Sequence, residues 1–302
     1  MSGRPRAAIG IDVGGTKTAV VLVGVDRGVV LGLREIDTAA SAGAGQLHDR
    51  LETELAALVA AAPVELVGVG VGVPELVTPD GLVVTDVVVP GLRGDLVTRW
   101  ADLGVTAVEA DVRAAAVAES RLGAGASCSS FGYVSVGTGI SHCLVVDGVP
   151  WAGVNGAAIL LGSGVLTDRA SFGGPGGTSA LEEFASGPGI VAQYTAAGGV
   201  ADSARDVLER CAVDDVARSV VTRAGRALGQ GLAELVNLLD PQVVVVGGGL
   251  GSAPGRYWES ALAAARSAIW ADSARAVPLV QSSLGPLAGA IGAALIAVAG
   301  TP

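Results

Sequence analysis

The sequence predicts an α/β protein built from two domains of similar plan. Three observations support this. Apolar runs of strand length alternate with longer segments of helical periodicity. A unit of strand, glycine-containing turn and strand occurs near the N-terminus and again, in the same order, near the middle of the chain. Half of the 302 residues are hydrophobic, yet only 3% are aromatic and 46 are glycine, a composition suited to closely packed layers of Ala, Val and Leu joined by tight turns.

The first unit opens the chain. Ile9 to Val13 enters the turn Gly14-Gly15-Thr16-Lys17 and leaves as Thr18 to Val23, the pattern of a β-hairpin. Gly14 and Gly15 are expected to take positive φ and to let a ligand approach the backbone. Successive N–H groups at such a turn form an anion site, to which Thr16 adds a hydroxyl and Lys17 a cation. Asp12, at the end of the strand, is placed to hold Mg²⁺ or its water shell. The plain alternative is a Gly-Gly hairpin whose Asp12 and Lys17 are solvated.

Val29 to Leu33 continues as a strand. Gln46 to Ala62 is helical, with Leu47, Leu51, Leu55, Leu58 and Val59 on one face, and Pro63 stops it. Val64 to Val73 reads as a buried strand ending at Pro74-Glu75. Val105 to Val108 leads through Glu109-Ala110-Asp111 into an Ala-rich helix, so Asp111 falls at a strand-to-helix junction, a common place for a functional carboxylate. Gly132 to Ile140 then repeats the opening unit around Gly137-Thr138-Gly139. Gly162 to Gly177 is loop-like. Leu181 to Ala185, Asp202 to Cys211, Asp214 to Leu239 and Trp258 to Trp270 read as helices. Val243 to Val246 is a buried strand followed by Gly247-Gly248-Gly249, Val277 to Val280 a last strand, and Leu284 to Ala299 an apolar last helix.

Composition excludes several classes. A formal charge of −10 argues against nucleic acid or an anionic membrane as partner, since both require a basic surface. Three widely spaced cysteines with no Cys-x-x-Cys pair indicate neither a disulfide framework nor a zinc site. The N-terminus carries no signal-like hydrophobic region and no segment reads as a membrane span, so a cytoplasmic protein is expected.

The set Asp12-Val13-Gly14-Gly15-Thr16-Lys17, Glu109-Ala110-Asp111, Gly137-Thr138-Gly139-Ile140 and Val246-Gly247-Gly248-Gly249 resembles, in order and spacing over nearly the whole chain, the ROK family of sugar kinases and repressors. The resemblance implies the actin-like, ribonuclease-H-like fold, with two α/β domains around an ATP and sugar cleft. It implies an N-terminal domain of residues 1–112 plus 286–302, a C-terminal domain of 113–285, and a last helix that returns to the first domain. The first strand begins near Ala7, leaving no room for a repressor's helix-turn-helix, so the kinase branch is expected. Carried over, Gly14, Gly15, Thr16 and Lys17 cradle the ATP phosphates and Asp12 orients Mg²⁺, through water. Gly137, Thr138 and Gly139 meet the phosphates from the second domain, Gly248 and Gly249 border the adenosine, and Asp111 is the base facing the sugar's primary hydroxyl.

The sequence also departs from the family pattern. Ala110 stands where a sugar-contacting Asn is usual. Ile159-Leu160-Leu161-Gly162-Ser163 replaces Gly-Glu-Ile-Gly-His, and Gly173, Pro175 and Ala180 stand in the region of the zinc-binding cysteines. All four family zinc ligands are therefore missing, and a zinc-free variant is expected. Glu182 remains as a candidate to face the substrate. Glu75 follows Pro74 where Gly is common, and is expected either at the sugar pocket or on the surface. His142 is either a pocket residue or, the favoured reading, a satisfied histidine. His48 is expected to face solvent, and Cys143 to pack in the core. The implied reaction is ATP-dependent phosphorylation of the 6-hydroxyl of a modified hexose. An amino sugar such as kanosamine, phosphorylated in antibiotic pathways, fits best, with room beside Ala110 and its ammonium on Glu75. A glucokinase, a C7-cyclitol kinase or a non-catalytic sugar-binding regulator are the alternatives, and retention of Asp111 with both glycine turns argues against the last. ATP and Mg²⁺ are the expected cofactors, and a homodimer the expected assembly.

Overall fold

A computed structural model describes residues 4–38, 43–164, 166–168, 170 and 177–299. The opening hairpin is present: β1 (Arg6–Val13) and β2 (Lys17–Gly24) pair antiparallel, with Ile9 opposite Leu22 and Asp12 opposite Ala19. β3 (Val29–Asp37) adds antiparallel to β2, four residues longer than its apolar run indicated because Arg34 to Asp37 continue the ladder. α1 (Ala44–Ala60) follows and buries Leu47, Leu51, Leu55 and Leu58, one side chain per turn. β4 (Glu65–Val73) pairs parallel with β1. After the short α2 (Leu96–Arg99), β5 (Val105–Ala110) pairs parallel with β4 and runs directly into α3 (Asp111–Leu122). The sheet order is β3-β2-β1-β4-β5.

The repeat read from the sequence is structural. β6 (Ser130–Val136) and β7 (Ile140–Val146) form a second antiparallel hairpin with Val134 opposite His142. A short β8 (Val149–Pro150), α4 (Leu161–Gly164) and a small ribbon of β9 (Leu166–Asp168) and β10 (Thr178–Ala180) follow. Next come α5 (Leu181–Ala185), α6 (Gly187–Ala196), α7 (Ala204–Arg210) and the long α8 (Asp215–Leu239). Then β11 (Val244–Gly247), α9 (Arg256–Ala268), β12 (Leu279–Gln281) and α10 (Ala288–Ala299) complete the chain. β11 pairs parallel with both β6 and β12. A hairpin flanked by two parallel strands is thus the plan of both sheets.

The helices are specified locally. Asp214 caps α8, its Oδ1 accepting from the N–H groups of Val216 and Ala217 at 2.8 and 3.1 Å. Asp240 ends it in the left-handed conformation (φ 44°) before Pro241. α8 packs on α9 through Gly225 and Gly229, where a Cβ would overlap the carbonyls of Tyr257 and Ala261. α6 lies outside the sequence reading, because its only start signal is Ser186 ahead of Pro188; the Ser186 hydroxyl accepts from Gly189 N–H at 3.3 Å.

Contacts divide the chain into two units: Met1–Ala126, Gly148–Ala158 and Leu287–Pro302, and Ser127–Asp147 with Ile159–Pro286. The expected break at 112/113 is therefore corrected, since α3 belongs to the first unit. Backbone packing is the reason: a Cβ on Gly292 of α10 would overlap the Ala114 carbonyl of α3, and one on Gly10 or Gly70 would overlap the Ala290 or Ala293 carbonyl of α10. α10 and α3 hold too closely to part. Among the described residues no helix is long and apolar enough to cross a membrane.

Candidate active site

Asp12 and Asp111 are brought together in the first unit, at the ends of β1 and β5. Gly72 of β4 lies between them, and a Cβ there would stand 3.6 Å from both Asp12 Oδ1 and Asp111 Cα. Gly289 at the start of α10 leaves room for the Asp12 carboxylate, which a side chain would meet at 2.5 Å. Burial, and secondarily the charge of Asp111, raise the pKa of Asp12 to about 7. Asp111 is raised to about 6, chiefly by burial; the Val112 N–H on its Oδ1 (2.6 Å) and the Arg113 cation pull it down, and Glu75 pushes it up. Both residues nevertheless keep an intermediate solvent exposure.

Arg113 explains how Asp111 is held. Its side chain is fully buried one helical turn after Glu109. It donates to Glu109 Oε1 at 2.7 Å from Nε and 2.5 Å from Nη2, to the Gly156 carbonyl at 3.1 Å and to the Val77 carbonyl at 2.5 Å. One guanidinium thus ties the start of α3 to two neighbouring segments of the same unit. Nothing in the sequence pattern singled it out; a lone Arg on an Ala-rich helix face was the available signal.

The turn after β1 is firm at its base. Gly14 N–H donates to the Lys17 carbonyl at 3.0 Å, Thr38 N–H to the Thr16 carbonyl at 2.8 Å, and the buried hydroxyls of Thr18 and Thr38 meet at 2.6 Å. Gly15, Thr16 and Lys17 at the tip are exposed. The expected positive φ is corrected: neither Gly14 nor Gly15 is left-handed. Close approach requires glycine instead, since a Cβ on Gly14 would stand 2.6 Å from the Lys17 carbonyl oxygen.

Glu75 is 3% exposed and its oxygens are engaged. Oε2 accepts from the Thr85 hydroxyl at 2.6 Å, and Oε1 from Val88 N–H at 2.6 Å and Val89 N–H at 3.1 Å. Burial works to raise its pKa, but these bonds outweigh it and hold the group below the usual carboxylate value. Ala110 is completely buried, so its methyl opens no exposed space.

In the second unit Gly137-Thr138-Gly139 forms the β6–β7 turn, with Gly137 N–H on the Gly139 carbonyl at 2.9 Å. Glu182 is spent on this turn: its Oε2 accepts from Ile140 N–H at 2.7 Å and lies where a Gly139 side chain would be. Gly248 has φ 81° and packs on the Val136 backbone, so both conformation and space demand glycine. Gly137, Thr138, Gly248 and Gly249 line a cavity of about 1190 Å³. Its other walls come from residues the sequence reading did not name, among them Pro188 and Val191 of α6, Arg205 and Leu208 of α7, and Pro254. Among the described residues the buried Ser252 hydroxyl on this cavity has no partner. The capping pattern Ser203-Ala204-Arg205-Asp206, in which Asp206 N–H donates to Ser203 Oγ at 3.3 Å, was the available signal for α7.

Both histidine expectations are corrected. His48 does not simply face solvent: its Nε2 lies 2.9 Å from Asp102 Oδ2, because α1 packs beside residues 101–103. His142 is not satisfied. Among the described residues its buried Nδ1 has no partner, and burial lowers its pKa. Cys143 is fully buried in the core. Gly173 and Pro175 lie outside the described residues, among which no group of three or more His, Cys, Asp or Glu is placed to hold a metal.

The family model described as the ROK family matches residues 8–299. The N-acetylmannosamine kinase of Escherichia fergusonii is 30% identical over 300 residues, which cover 96% of this chain and 97% of that protein. The crystal structure of a ROK hexokinase from Thermus thermophilus aligns with a TM-score of 0.77 at 32% identity, covering 96% of this chain and 97% of that one. That of a ROK family glucokinase from Streptomyces griseus in complex with glucose and AMPPNP aligns at 0.81 and 26% identity, covering 97% and 100%. The chain accordingly has the actin-like ATPase fold of these sugar kinases.

Proposed function

The chain belongs to the ROK family, and from that premise we propose that it is an ATP-dependent sugar kinase with Asp111 as the base toward the acceptor hydroxyl. The observation that carries this is the pair of carboxylates, Asp12 and Asp111, at adjoining strand ends with pKa values raised to about 7 and about 6. An isolated solvated carboxylate would not be poised so close to working pH.

The cavity lined by Gly248 and Gly249 suits the adenosine of ATP: its walls are largely apolar, and the unpartnered Ser252 hydroxyl offers a polar contact. In the first unit the exposed turn tip Gly15-Thr16-Lys17 suits phosphate oxygens through its backbone N–H groups and the Lys17 ammonium; in the second unit Gly137 and Thr138 line the nucleotide cavity. Asp12 fits Mg²⁺, a hard cation commonly held by one or two carboxylates, water and substrate phosphates. Bound there, Mg²⁺ would neutralise charge developing on the transferred phosphoryl group. Asp111 orients the acceptor hydroxyl and takes its proton as the new oxygen–phosphorus bond forms; the bond between the γ-phosphorus and the bridging oxygen breaks, and ADP leaves.

The acceptor in this proposal is the 6-hydroxyl of an amino hexose, with kanosamine the first to test. A relative named for an N-acylated amino sugar supports it. The second reading is a glucokinase, favoured by the likeness to the glucose-bound Streptomyces griseus enzyme. A homodimer acting in the cytoplasm, without zinc and without nucleic-acid or membrane partners, completes the proposal. A coupled ADP-release assay across kanosamine, glucose and N-acetylmannosamine tests it. Turnover with the highest kcat/KM for kanosamine is the expected result. Preference for glucose moves the assignment to a glucokinase, and no ADP release with any sugar refutes the kinase.

A further inference from the structure

Around the first glycine turn the structure places an apolar surface where an acceptor of many hydroxyls would be least comfortable. Val88 Cγ1 lies 3.0 Å from where a Gly15 Cβ would stand, so Val88 packs directly on the turn. It is nevertheless 46% exposed, and its neighbour Val87 is 83% exposed. Two adjacent valines are thus open to solvent beside the turn.

The loop is not loose. Glu75 grips it at three points, the Thr85 hydroxyl and the N–H groups of Val88 and Val89, and Thr85 Oγ1 in turn accepts from Leu76 N–H at 2.8 Å. A buried carboxylate spending its lone pairs on one segment fixes that segment's position. The same carboxylate lies near enough to Asp111 for its charge to be felt there. Glu75 therefore links Val88, which packs on the glycine turn, to the surroundings of Asp111.

We infer that Val88, positioned by Glu75, determines acceptor specificity by apolar contact, and that the acceptor presents to it a carbon-bound face, a deoxy position or an acyl group and not a free hydroxyl. This deepens the kinase reading and rests on it. Glu75 is then a positioning residue, and not the counter-ion of a substrate ammonium. A hydroxyl turned toward Val88 loses water and finds no partner. Discrimination of this kind is modest, because an apolar surface rejects an added hydroxyl by only about 10- to 100-fold.

The test measures kcat/KM with ATP for matched acceptors: glucose against its 2-deoxy and 3-deoxy forms, and glucosamine and mannosamine against their N-acetyl forms. The wild-type protein is expected to favour at least one deoxy or N-acetyl member over its polar partner by about tenfold or more. Val88→Thr keeps the shape and adds a hydroxyl. It is expected to narrow that preference at least about fivefold while leaving KM for ATP unchanged, a split that general damage to the fold would not produce. Glu75→Ala frees the loop and is expected to erode the same preference. Turnover with the polar partner preferred in every pair, or a preference that Val88→Thr leaves intact, overturns the inference and leaves the kinase reading standing. Absence of ADP release with every acceptor removes the kinase reading and this inference with it.

Discussion

Asp111 stands close enough to Asp12 for its charge to oppose ionisation of the Asp12 carboxylate, adding to the cost of burial that already raises that group's pKa to about 7. Two acids in one place, each costly to ionise, have consequences for both activity and stability.

Asp111→Asn keeps the shape of the side chain and removes the proton acceptor. It is expected to lower kcat by roughly two to four orders of magnitude while nucleotide still binds. Steady-state kinetics and nucleotide titration calorimetry check both halves, and near-normal turnover would remove Asp111 from its role.

The raised carboxylates set a pH dependence of stability. Unfolded, both groups titrate near the ordinary 3.8; folded, they hold their protons to about 6 and about 7. Between these limits the folded state binds more protons than the unfolded state, so their contribution to stability is greatest below about pH 4 and is lost as pH rises to about 7. Asp12→Asn is therefore expected to raise the melting temperature of metal-free protein at pH 7.5 relative to wild type, and to have less effect near pH 4.5. Thermal melts in chelator across this range check the sign, and equal shifts at both pH values would contradict it.

Arg113→Ala leaves the Glu109 carboxylate and the Val77 and Gly156 carbonyls without their buried donor. A loss of roughly 3 kcal/mol or more in denaturant unfolding is expected. Because the guanidinium also holds the Asp111 pKa down, the acid limb of kcat/KM should move to higher pH in any variant that still folds. An unmoved limb would show that Arg113 acts on the fold alone.

Gly292→Val tests the packing of α10 on α3. With no space for a Cβ against the Ala114 carbonyl, the helices must part, and about 3 kcal/mol or more of stability should be lost. A melting temperature within a few degrees of wild type would mean that α10 moves freely.

Elemental analysis of chelator-washed protein checks the zinc expectation. Cys128, Cys143 and Cys211 are the chain's three cysteines, and Cys143 is fully buried. Zinc well below one equivalent per chain is expected, since a structural site needs about four thiolate or imidazole ligands.

Local pattern was enough for much of this protein. Alternation and helical periodicity marked most of the strands and the long helices, because burial on one face leaves its period in the chain. The glycine turns identified the hairpins at Asp12 and at Gly137, and the strand-to-helix junction picked out Asp111. Tertiary structure alone decided what depends on partners distant in sequence. Within the turn itself, backbone geometry decided that Gly14 is needed for closeness to the Lys17 carbonyl and not for a positive φ. Glu75, Glu182 and Arg113 are charged residues whose roles follow from the groups that surround them: the Thr85 hydroxyl and the backbone of residues 88, 89, 140, 77 and 156. A carboxylate has the same chemistry whether it awaits a ligand or grips a loop. The difference lies in which donors the fold brings within hydrogen-bonding distance, and that is not written at the residue itself.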